Sequence, residues 1–121
     1  GDLAARIGGE EFALLMPGTN EVGVETIAER LRQAVQEQAI PHAGNQPVGV
    51  VTISIGVATA WPLPEQPDAD TNQERNALLS AADRALYVAK REGRNRVAVA
   101  ATEVTHFHFD AFTAAPARQT L

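Results

Sequence analysis

The chain has 121 residues, 45% of them hydrophobic and 21% charged, which is the size and composition of one globular domain or part of one. With no cysteine it excludes disulfide scaffolds and thiolate metal sites, and its net charge of −5 argues against a protein that coats nucleic acid. No apolar run reaches membrane-spanning length and no secretory signal opens the chain, so a cytoplasmic protein with no membrane segment and no nucleic-acid partner is expected.

Leu3–Ile7 and Phe12–Met16 read as two short strands around Gly8-Gly9-Glu10-Glu11. A glycine pair between strand-like runs signals a hairpin, because glycine supplies the positive φ that tight hairpin turns use. Pro17-Gly18 closes this unit. Thr19 or Asn20 can cap a helix running to about Gln38, with Glu21 in its first turn and Val24, Ile27, Ala28, Leu31, Ala34 and Val35 forming its apolar stripe. Residues 41–47 are a loop by composition.

Val48–Ala60 is rich in β-branched residues. Val51, Ile53, Ile55 and Val57 alternate with Thr52, Ser54 and Gly56, a pattern for a strand with one buried face. Three prolines within 61–73 mark an irregular connector, in which Trp61 reads as a loop anchor. Leu78, Leu79, Ala82, Leu86 and Ala89 stripe a second helix over about 74–92, with Gly93 as its C′ residue. Arg96–Ala100 is a short last strand, and periodicity vanishes from Ala101 onward. Hairpin, helix, strand, helix and strand in this order predict an α+β sheet covered by helices on one side.

Adjacent glutamates at a turn tip add nothing to a core, and they repel each other unless a cation or substrate lies between them. Glu10 and Glu11 are therefore candidate metal ligands beside a bare glycine backbone, the competing reading being a solvated acidic turn. Lys90, the only lysine, precedes Arg94 by four residues across a helix end. Cations there complement the helix dipole by roughly 0.3–1 kcal/mol, which by itself explains them. Arg6 reads as strand surface. His106 and His108 alternate in the tail with little support for a metal site.

Gly8-Gly9-Glu10-Glu11-Phe12 resembles the signature of the GGDEF family, the diguanylate cyclases, in its GGEEF form. The resemblance extends through residues 14–19, Ala28–Arg32, Val51–Ala58 and Ala82–Arg96, four blocks in family order over residues 2–99. It implies a palm-like nucleotidyl-cyclase fold with a ferredoxin-like core: an antiparallel sheet with helices packed on it. Residues 1–100 would be the C-terminal portion of the domain and 101–121 a weakly structured tail. Because the chain opens on Gly1 rather than Met and the motif follows at once, a truncated or excised sequence is expected. The family's first strand, central in its sheet and carrying a metal-binding Asp, would then be missing, leaving strand edges exposed. The Asn and Asp side chains that read guanine would be missing with it.

The resemblance implies condensation of two GTP into cyclic di-GMP with release of two pyrophosphates. Each of two facing GGDEF domains would hold one GTP, with an upstream sensory domain in the parent protein. Gly8 and Gly9 would approach the nucleotide, and Glu10 and Glu11 would be catalytic and would bind Mg²⁺ or Mn²⁺. Lys90 and Arg94 would hold the β- and γ-phosphates. Asp2 matches half of a product-inhibition site whose arginine would lie upstream, and Arg30 matches a second arginine of that site or is simply a solvated helix residue. The 121 residues alone are expected to turn over poorly. The rival class is a non-enzymatic GGDEF-like module that binds nucleotide or cyclic di-GMP. A different nucleotidyl cyclase or a palm-type polymerase rests on fold analogy alone.

Overall fold

The computed structural model describes the backbone of residues 2–63, 71–100, 104–108 and 117–120, and the side chains of residues 2–60, 73 and 75–100. Strands β1 (Leu3–Arg6) and β2 (Glu11–Leu15) form an antiparallel hairpin with Arg6 opposite Phe12. Helix α1 (Glu21–Glu37) follows, and the Asn20 side chain accepts a hydrogen bond from the Gly23 amide at its N-terminus. Of the two capping candidates it is Asn20 that does the work.

Strand β3 is Ser54–Val57, shorter than the 48–60 run of β-branched residues suggests. Residues 51–53 precede it without ladder pairing, and the Val51 amide bonds instead to the Ile40 carbonyl at 2.8 Å. Strand β4 (Ala60–Leu63) takes Trp61 into a two-stranded sheet rather than a loop, and helix α2 (Thr71–Arg91) starts three residues before the expected 74. The rest of the expected connector, 64–70, and the side chain of Trp61 lie outside the described residues. Strand β5 (Val97–Val99) pairs parallel with β3. Strands β6 (Val104–His108) and β7 (Ala117–Thr120) both fall within 101–121; the side chains of His106 and His108 lie outside the described residues.

The main sheet has the order β1-β2-β7-β3-β5. β7 runs antiparallel to both β2 and β3, so it fills the place between the hairpin and β3 where exposed edges were expected. A strand ladder is made by backbone groups, which any non-proline residue can offer to two open edges. β2 and β3 consequently run in the same direction, joined by α1, with β7 between them. The sheet is mixed: β3–β5 is its parallel pair, and the other ladders are antiparallel.

The expectation of helices on one side is corrected by β3. Residues 53–58 are all buried, so both faces are covered, not one. Ile53, Ile55 and Val57 pack in one cluster with Met16 of the hairpin and Val24 and Ala28 of α1. On the other face a Cβ on Gly56 would stand 2.2 Å from the Ala82 carbonyl oxygen, and Ala58 packs with Leu78, Ala81 and Ala82 of α2. Since successive strand residues point to opposite faces, α1 and α2 sandwich β3. The small residues that look like a wet face are small because a helix backbone lies against them.

Candidate active site: a carboxylate turn and a cationic helix end

Four residues, Ile7–Glu10, form the turn of the hairpin. The amides of Ile7 and Gly8 both donate to the Glu11 carbonyl, at 2.9 and 3.3 Å. Arg6 spans the turn from below, its Nε donating to the Gly8 carbonyl at 3.1 Å and its Nη2 to the Gly9 carbonyl at 2.7 Å. A residue that reads as strand surface thus fixes both glycine carbonyls; its signal in the sequence is an arginine two positions before the glycine pair. Neither Gly8 nor Gly9 has positive φ, which corrects the reason given for the glycines. A Cβ on Gly9 would point into open space, and one on Gly8 would lie 3.5 Å from Oε2 of Glu11. What the pair supplies is uncovered backbone.

Glu10 is exposed and has no side-chain partner among the described residues. Glu11 is half-buried, with its carboxylate beside Gly8. Two neighbouring carboxylates suit a hard cation such as Mg²⁺, which keeps several waters and commonly takes one or two carboxylates plus phosphate oxygens. Among the described residues no group of three His, Cys, Asp or Glu side chains assembles into a metal cage. The carboxylate pair fits a cation whose shell is completed by water and phosphate oxygens.

The cationic end lies where α2 stops. The Arg94 amide donates to the Ala89 carbonyl at 2.9 Å and the Gly93 amide to the Lys90 carbonyl at 3.4 Å, with Gly93 at φ 126°. That is the paired bonding of a Schellman motif with Gly93 at C′, as the sequence suggests. Lys90 is half-buried and Arg94 exposed, and neither side chain has a hydrogen-bond or ion-pair partner among the described residues.

The two charged regions meet the same end of the sheet. Glu11 and Ser54 both stand opposite Thr120 in adjacent ladders, which places their backbones about 10 Å apart at ordinary strand spacing. Ser54, a buried polar residue, accepts from the Asn95 amide at 3.2 Å through its Oγ, bringing the loop after α2 to that row. Asp2 precedes the β1 residue that pairs with Leu15, at the hairpin end opposite the turn, and Arg30 is exposed on α1.

Sequence reasoning passed over a polar cluster on α1. Arg32 Nε donates to both carboxylate oxygens of Glu29 at 3.0 Å, and its Nη1 reaches Gln36 Oε1 at 3.1 Å and Asn95 Oδ1 at 3.0 Å. Hydrogen bonding to Arg32 holds the Glu29 carboxyl below the usual carboxylate range, and the same bonds raise Arg32. Glu29 three residues before Arg32 is visible in the sequence, but the link to Asn95 is not.

Residues 1–96 match the family model "Diguanylate cyclase, GGDEF domain". "Diguanylate cyclase A" of Treponema denticola is 38% identical over 96 residues, covering 79% of this chain and 23% of the relative. "Response regulator PleD" of Caulobacter vibrioides is 43% identical over 97 residues, covering 79% of this chain and 19% of PleD. The chain thus spans about a fifth to a quarter of the length of these relatives. A crystal structure of the GGDEF domain of DgcB from Caulobacter crescentus in complex with cyclic di-GMP superposes with a TM-score of 0.61 at 34% identity, covering 84% of this chain and 53% of that one. By its motif, its fold and these relatives, the chain belongs to the GGDEF domain family.

Proposed function

We propose that the chain carries one wall of a diguanylate cyclase site, in which two GTP condense into cyclic di-GMP and two pyrophosphates leave. The observation that carries this reading is the placement of a carboxylate turn and a cationic helix end at the same end of one sheet. Each 3′-oxygen attacks the α-phosphorus of the other GTP, and each P–O bond to pyrophosphate breaks. Glu10, exposed at the tip, is the group to accept the 3′-hydroxyl proton. The uncovered backbone of Gly8 and Gly9 lets the nucleotide approach, and Lys90 and Arg94 hold the β- and γ-phosphates as charge builds on the leaving group. A divalent cation, Mg²⁺ or Mn²⁺, held at Glu10 and Glu11 would supply charge neutralisation beside the triphosphate. A second GGDEF domain facing the first contributes the other GTP, so the chain's task is positioning plus electrostatics. A cytoplasmic setting and control by an upstream sensory domain belong to the same reading.

Two exposed or half-buried carboxylates with no third donor among the described residues also favour a second reading, a module that binds nucleotide or cyclic di-GMP without turnover. Titration with GTP in Mg²⁺ and chromatographic detection of cyclic di-GMP separate them. Binding that depends on Mg²⁺ and weakens in Glu10→Gln and Arg94→Ala is expected, with little product from these 121 residues. Binding indifferent to both substitutions would sink the site assignment, and cyclic di-GMP formed at the rate of full-length relatives would remove the binding-only reading.

A further inference from the structure

The residues that follow α2 do something unusual. Gly93, Arg94 and Asn95 have φ values of 126°, 63° and 48°, three left-handed residues in succession, two of them with side chains. The Schellman motif accounts for Gly93, since glycine alone is at ease there. It leaves unexplained why Arg94 and Asn95 follow in the same region, which L side chains rarely adopt.

Asn95 is gripped from three directions. Its amide donates to Ser54 Oγ at 3.2 Å, its Oδ1 accepts from Arg32 Nη1 at 3.0 Å, and its Nδ2 donates to Gln36 Oε1 at 3.1 Å. Arg32 and Gln36 also bond each other, at 3.1 Å, and Glu29 anchors Arg32 from behind. The partners come from α1 and β3, more than 40 positions away in sequence, so this is tertiary tethering and not local turn chemistry. On the other side of Arg94 the helix end holds its amide, while Arg96 Nε donates to the Arg94 carbonyl at 3.1 Å. The backbone of Arg94 is therefore fixed at both ends, and its guanidinium alone is left exposed without a partner among the described residues.

We propose that Arg32 and Asn95 are positioning residues for Arg94, holding the Gly93–Asn95 loop in its left-handed path so that the Arg94 guanidinium is presented, preorganised, to an anionic phosphate group at this end of the sheet. The inference rests on the reading of Arg94 as a phosphate ligand. The planar fork of Arg32 meets Glu29, Gln36 and Asn95 together, a geometry that a lysine ammonium does not reproduce. Asn95 suits its place twice, as a side chain that tolerates left-handed φ and as the amide the fork recognises.

The test is titration of the chain with GTP in Mg²⁺ by calorimetry, for Arg32→Ala, Arg32→Lys and Asn95→Gly, each alone and combined with Arg94→Ala. Asn95→Gly keeps the left-handed backbone accessible and removes only the tether, so it folds without strain. Each single substitution is expected to weaken binding about tenfold, the size of losing hydrogen bonds to a charged group, with Arg32→Lys failing to rescue. In the Arg94→Ala background the same substitutions should add nothing, because they act through Arg94. Wild-type affinity in Asn95→Gly and Arg32→Ala, or an equal loss with and without Arg94, would overturn the proposal while leaving Arg94 a ligand. Unchanged binding in Arg94→Ala alone would overturn the phosphate reading itself and the proposal with it.

Discussion

The turn at Ile7–Glu10 and the loop at Gly93–Asn95 stand at the same end of the sheet with opposite charge, and they are held by opposite means. The turn is closed within a few residues: Arg6 to Gly8 and Gly9, and Ile7 to Glu11. The loop is closed from far away in sequence, by Ser54 on β3 and by Arg32 and Gln36 on α1. A site wall made of local bonds can form as soon as the hairpin does. One tethered through tertiary contacts exists only when the whole domain has packed.

The harshest way to break both regions is to strike the strand between them. Gly56→Ala drives a Cβ to within 2.3 Å of the Ala82 carbonyl and the Leu86 amide, where backbone, not a pliable side chain, must give way. A loss of about 3 kcal/mol or more is expected, read as a fall in the thermal midpoint of more than about 10 °C. A midpoint within a few degrees of wild type would show that α2 does not lie on β3 as described.

Arg6→Ala should separate the two regions. It removes both side-chain bonds to the turn carbonyls at an exposed position, a loss of about 1 kcal/mol. Amide exchange at Ile7 and Gly8, which both donate to the Glu11 carbonyl, should quicken while exchange at Arg94 and Asn95 stays at its wild-type rate. Equal quickening in both places would mean that the turn and loop are one cooperative unit.

The smallest effect is expected from acid, and it should touch the loop alone. The folded-state carboxyl of Glu29 titrates below its ordinary value because Arg32 bonds its ionised form. The associated stabilisation is complete above the unfolded value, near pH 4.5, and is lost as pH falls through the depressed folded value. Glu29 is 43% exposed, so solvent screening keeps the effect to a few tenths of a kcal/mol. Loop protection factors, referenced to intrinsic exchange, should fall in the wild type as pH drops below about 4 and converge on those of Glu29→Gln, in which this pH-dependent step is absent.

What the sequence made legible follows the same division. The hairpin, the Asn20 cap, the stripe of α1 and the C′ glycine of α2 all rest on neighbours within a turn or two of chain, and each is present. The glutamates, glycines and two cations were readable as types in a pattern. Arg6 was read as strand surface because its partners are backbone carbonyls, and its place two residues before the glycine pair is the one mark it leaves in the sequence. The double burial of β3 was hidden by Ser54, Gly56 and Ala58, whose smallness looks polar until a helix is seen against it. Arg32 and Asn95 carry no shared sequence signal, since their contact exists only through the packing of α1 beside the end of α2.

Strand β7 carries the consequence furthest from the site. The hairpin's only ladder connection to β3 among the described residues runs through Ala117–Thr120. These residues pair with positions 11–14 and 54–57, so the sheet contains contacts spanning most of the chain. In folding to this arrangement, β2 and β3 close into one sheet only when residues 117–120 dock between them. Loop closure over such a separation is slow, and the unpaired edges of β2 and β3 are the surfaces most prone to mispairing until then. The centre of this sheet is thus filled by β7, the strand furthest along the chain among the described residues.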